Sequence, residues 1–152
     1  MKAGVVLHNL HVLILAASLV ALGGCASVPM ATHEQDAESK TFPVPPADKA
    51  GVYVYRNSFL GKSLKKTVSV DGISIGKLAN ETYFYKIIAP GKHTLSTESE
   101  FGDNSIVFQA DSGKNYFARQ YMKMGVLIGG SGIEMVSEDQ GKKEVLDSNE
   151  AQ

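Results

Sequence analysis

Few side chains in this sequence have the types that break bonds. His93, Ser96, Ser99 and Asp103 fall within eleven residues. A nucleophilic site needs a hydroxyl beside a base, and the base beside an orienting acid. The spacing here fits no nucleophile elbow, and strand alternation puts His93 and Ser96 on opposite faces. His93 therefore reads as a histidine flanking the Pro90-Gly91 turn. Glu98, Glu100 and Asp103 gather three carboxylates near one loop. The alternating acids and distal Glu of a calcium loop are missing, so they read as solvated charges. His33, beside Glu34 and Asp36, reads as part of a polar linker and not as a metal ligand. No metal or other cofactor is expected.

Gly125 to Gly132, "GVLIGGSG", resembles a phosphate loop only loosely. Ile133 and Glu134 stand where such a loop needs Lys and Ser or Thr. The glycines instead suggest a bend that presents Val126, Leu127 and Ile128 to a partner. A second candidate surface is aromatic. Tyr83 and Tyr85 share one strand face, and with Tyr53 and Tyr55 they form an expected tyrosine-bearing sheet face. Such faces take up sugars and peptides. Arg56, Lys62, Lys65 and Lys66 make a small basic cluster that suits anionic headgroups.

These surfaces must be held by something. The chain has 152 residues, 15 Lys and Arg, 16 Asp and Glu, and one cysteine. That length suits one domain. Loss of residues 1–24 would remove Lys2 alone among the charges and leave a net −2, the wrong sign for a nucleic-acid binder. One sulfur makes neither an internal disulfide nor a cysteine-rich zinc site.

The sulfur has a particular setting. Lys2 opens the chain, and Val12 to Leu22 is apolar apart from Ser18. The run is shorter than the roughly 20 residues of a membrane span and has the length of a signal-peptide core. Gly23, Gly24 and Cys25 follow. "LGGC" resembles the lipobox of bacterial lipoproteins, with Leu22, Gly23 and Gly24 as the signal-peptidase recognition residues. The resemblance implies a diacylglyceryl thioether on Cys25, cleavage just before it, and acylation of the new amine. An ordinary secreted protein and an uncleaved anchor are the alternatives. Ala26 in place of an Asp after the cysteine resembles an outer-membrane address facing the periplasm.

Four segments are expected: a signal peptide over 1–24, a lipidated start and Pro-containing tether over 25–49, a domain over 50–138, and a polar tail over 139–152. Within the domain, "GVYVYRN" and "KTVSVDG" alternate with period two, as half-buried strands do. Asp71-Gly72 and Pro90-Gly91 are turn pairs. The whole suggests an all-β fold. It would be a small antiparallel sandwich or partly open barrel of seven or eight strands.

"ADKAGVYVYR", "VSVDGISIGKL", "YFYKIIAPGKHTL" and the strand after "DSGKNYF" follow in a set order. The series resembles an uncharacterised family of bacterial lipoproteins known only as a domain of unknown function. It is related in pattern to PEGA-type β-sandwich modules. That resemblance implies a fold and an envelope location, and brings no activity. The expected role is a lipid-anchored, non-enzymatic binding or scaffolding module with an envelope protein or glycan as partner. A carrier of an apolar or lipid ligand, and an envelope hydrolase using His93, are the alternatives.

Overall fold

The computed structural model describes residues 27–126 and 129–152. Cys25, its recognition residues Leu22, Gly23 and Gly24, and Leu127 and Ile128 lie outside the described residues. Eight strands form where the sequence alternates: β1 (Ala50–Arg56), β2 (Lys66–Val70), β3 (Ile73–Leu78), β4 (Thr82–Ile88), β5 (Gly91–Ser99), β6 (Gly102–Ala110), β7 (Asn115–Lys123) and β8 (Gly130–Val136). A short β9 (Asn149–Glu150) follows. Asp71 and Gly72 both take positive φ, 51° and 80°, which closes the expected β2–β3 hairpin.

The strands form two sheets, β8-β7-β1-β4-β9 and β3-β2-β5-β6. This is the expected all-β sandwich, except that it is not antiparallel throughout. β1 runs parallel to β7, and β4 parallel to β9. Both parallel partners arrive after long excursions, so no turn signal in the sequence announces them. Val52, Val54, Phe84 and Ala118 of the first sheet meet Val68, Leu95 and Phe108 of the second in one core. Along one edge Ser131 of β8 ties the sheets together. Its hydroxyl donates to the Glu98 carbonyl, and its own carbonyl accepts from Asn104 at 2.5 Å.

Two segments depart from expectation. Residues 27–49 are not a free tether. Met30 bridges Ala151, and helix α1 (His33–Ser39) packs beside β9. The helix starts with a capping box, Thr32 accepting from the Gln35 amide while Gln35 accepts from the Thr32 amide. Residues 139–152 are not a loose tail either. They carry helix α2 (Glu138–Leu146) and β9, and both belong to the fold. The folded unit therefore runs well beyond 50–138 at both ends.

Candidate functional site

His93 sits in the opposite end of the sandwich from the loops described below. Its Nδ1 lies 2.7 Å from Asp71 and its Nε2 lies 2.7 Å from the Ala89 carbonyl. Both partners are acceptors, an arrangement that favours a ring protonated on both nitrogens. Partial burial works against that charge, but the Asp71 hydrogen bond and the Ala89 carbonyl outweigh it and raise the pKa. The ring keeps no nitrogen for a serine. Leu95 and Thr97 point inward and Ser96 does not, so His93 and Ser96 do lie on opposite faces. The three carboxylates share the β5–β6 hairpin, where Glu98 and Asp103 are register partners, but two of them are engaged elsewhere. Glu98 accepts from the Thr67 amide and hydroxyl, and Glu100 from the Val126 amide. Among the described residues no three His, Cys, Asp or Glu side chains gather into a metal site.

The tyrosines share a face as expected, but it is not an open one. Register pairs Tyr53 with Tyr85 and Tyr55 with Tyr83 across β1 and β4. Tyr53, Tyr55 and Tyr83 are fully buried, and Tyr85 is partly so. The reason is the two helices. Phe42 lies edge-on to Phe117 at 5.9 Å, and Gly141 of α2 sits so close to Phe117 that a Cβ there would come within 2.3 Å. Tyr53 donates to the Ser39 carbonyl at 2.8 Å. Tyr83 donates to Asp36 Oδ1 at 2.9 Å, which also accepts from the Glu150 amide at 2.8 Å, while Asp36 Oδ2 binds Lys40. Burial alone would raise the Asp36 pKa, yet these donors lower it. Burial pushes the Tyr55 hydroxyl up to about 12. The aromatic face is thus a second core under the helices. Clefts of about 250 and 380 Å³ flank Glu150 beside α1.

The basic cluster is also reassigned. Arg56 is fully buried and Lys66 nearly so. The Arg56 guanidinium donates to the carbonyls of Gly61 at 2.5 Å and Leu64 at 2.6 Å. It is an internal clamp on the β1–β2 loop. Lys62 and Lys65 remain exposed.

That clamp organises one end of the sandwich. The β1–β2 loop meets the β7–β8 loop, since a Cβ on Gly61 would touch Met122 and one on Gly129 would touch Leu64. The β5–β6 turn joins them through the bond from the Val126 amide to Glu100, at 2.7 Å. Each loop presents an apolar tip to solvent. Phe59 is 88% exposed, Phe101 82%, Met124 88% and Val126 81%. Lys62 stands over the Phe59 ring at 5.0 Å. Lys65 donates to the Ser27 carbonyl at 2.7 Å, which brings the first described residue beside these loops. Of the expected surface, Val126 is placed here.

Comparison with known sequences adds a family to this geometry. Residues 46–132 match the model described as "Protein of unknown function (DUF2846)". The chain belongs to this family. It is also 47% identical over 130 residues to an uncharacterised protein of Haemophilus influenzae, across 86% of this chain and 77% of that one. The DUF2846 stretch contains the buried tyrosines and all three apolar loops. It includes neither α1 nor α2, the helices that close the tyrosine face.

Sequence reasoning missed Phe59, Phe101 and Met124. A signal was present: "NSFLGKS" and "SEFGDN" each set a Phe among turn-forming residues, where a core-facing strand position is not available. It also missed Asp36, because a carboxylate in a polar stretch gives no pattern.

Proposed function

We propose that this chain is a lipid-anchored cell-envelope lipoprotein, held through Cys25, whose domain acts as a non-enzymatic binding or scaffolding module. The observation that carries the reading is the Leu22-Gly23-Gly24-Cys25 sequence placed three residues before Val28, which is buried in the domain core. A lipid on Cys25 seats this domain directly at a membrane surface. Two or three acyl chains hold such an anchor stably, where one is marginal. Ala26 favours an outer-membrane position facing the periplasm. The binding role draws support from the apolar loop tips, which have the exposure of a contact surface. A hydrolase using His93 draws none from the geometry, because Asp71 and Ala89 occupy both ring nitrogens. Carriage between the sheets is disfavoured by Val54, Phe84, Leu95 and Phe108, which pack into that space.

The test is Cys25→Ser in a bacterium with intact lipoprotein processing. The expected product is a precursor that keeps residues 1–24 and takes up no labelled fatty acid. Normal processing to a soluble protein contradicts the reading.

A further inference from the structure

We infer that the end of the sandwich formed by the β1–β2, β5–β6 and β7–β8 loops rests in the headgroup region of a phospholipid bilayer, with Phe59, Phe101, Met124 and Val126 as its inserting tips. The inference rests on the anchor at Cys25 and names what the exposed surface touches.

The chain's path carries the argument first. Ser27 is held by Lys65, a residue of the β1–β2 connection. Only Ala26 separates it from Cys25, so the two are at most about 7 Å apart along an extended chain. Lipid attached at Cys25 therefore enters the bilayer beside this end of the domain. Residues 27–49 are packed against the sheets and cannot act as a spacer.

The chemistry of the two ends carries it next. At the anchored end four large apolar side chains, on three separate loops, are more than four-fifths exposed. Lys62, Lys65 and Lys123 are exposed around them, in position for phosphate groups. Of the acids at the same turn, Glu100 is engaged with the Val126 amide and Glu98 with Thr67, while Asp103 is exposed beside the lysines. The opposite end carries Asp71 with His93 and the Asp111–Lys114 pair, beside Ile73 and Val44. Apolar tips backed by lysines suit a surface whose interior is hydrocarbon and whose rim is phosphate. Arg56 already fixes the first of these loops.

The chain has no tryptophan, so a single introduced one reports its own surroundings. Phe59→Trp, Phe101→Trp and, at the far end, Ser112→Trp are prepared as full-length lipidated proteins. Each is reconstituted into phosphatidylethanolamine–phosphatidylglycerol vesicles, with and without brominated acyl chains. Flotation with the vesicles reads the anchor, and bromine quenching reads the loops. The expected result is flotation of all three variants, with strong quenching and a blue shift for F59W and F101W and none for S112W. Flotation with F59W and F101W no better quenched than S112W overturns the inference, leaves the anchor standing, and assigns the tips to a protein partner. Failure to float overturns the anchor and the inference together.

Discussion

Asp36 joins three parts of the chain that are distant in sequence. It holds the Tyr83 hydroxyl, the Glu150 amide and Lys40 at once. Asp36→Asn keeps the shape and removes the charge, so it should cost about 2 kcal/mol in urea unfolding, in line with hydrogen bonds to charged groups. Arg56→Met leaves the Gly61 and Leu64 carbonyls without their donor. The expected loss is about 2–3 kcal/mol, and faster tryptic cleavage at Lys62 and Lys65 should accompany it. The His93–Asp71 pair gives a pH signature. His93 is raised in the fold, so its contribution is complete below its unfolded value near pH 6.5 and is lost as pH rises through the folded value. Asp71 is lowered, first by the Thr94 amide and then by His93, so its share is present above about pH 4 and is lost in stronger acid. His93→Gln should therefore flatten the decline in urea midpoint as pH rises above about 6.5. An unchanged slope would remove His93 from that role.

The helices decide what the tyrosines do. Gly141 normally marks a weak point in a helix, and alanine there would stabilise by up to about 1 kcal/mol. Here the Phe117 ring fills the space a Cβ needs. Gly141→Ala should instead destabilise by about 1–3 kcal/mol through overpacking, read by thermal unfolding. It should also expose Tyr53 and Tyr83, read by a fall in the tyrosine titration midpoint. The strands were legible because "GVYVYR" and "KTVSV" alternate, and Asp71-Gly72 names its own turn. The placement of the tyrosines on one face was legible for the same reason. Their burial was not. α1 reads "HEQDAES", with no apolar stripe, and docks through the Ser39 carbonyl and the Asp36 carboxylate. β9 is two polar residues held by backbone pairing. Neither leaves a periodic trace, so a docked segment looked like a tether and a sheet strand looked like a tail.

At the scale of the molecule, the packing of residues 27–49 changes the geometry of attachment. A free tether would let the domain range away from its anchor. On the proposed anchor at Cys25, a docked one turns the Phe59, Phe101, Met124 and Val126 end toward the membrane. On that proposal, each such side chain contributes at most about 1.5–3 kcal/mol, the value for full burial, to the hold of the acyl chains. The setting of the lone cysteine, after Leu22-Gly23-Gly24, is legible in the sequence. The surface beside it became legible only in three dimensions, because Phe59, Phe101 and Val126 come from loops far apart in the chain. The claim beneath all of this is the modification of Cys25. Intact mass spectrometry of the native protein from the membrane fraction tests it most directly. The account predicts a chain beginning at Cys25 and heavier than residues 25–152 by a diacylglyceryl group and an amide-linked acyl chain. A chain that retains residues 1–24, or one bearing a free Cys25 thiol, would contradict it.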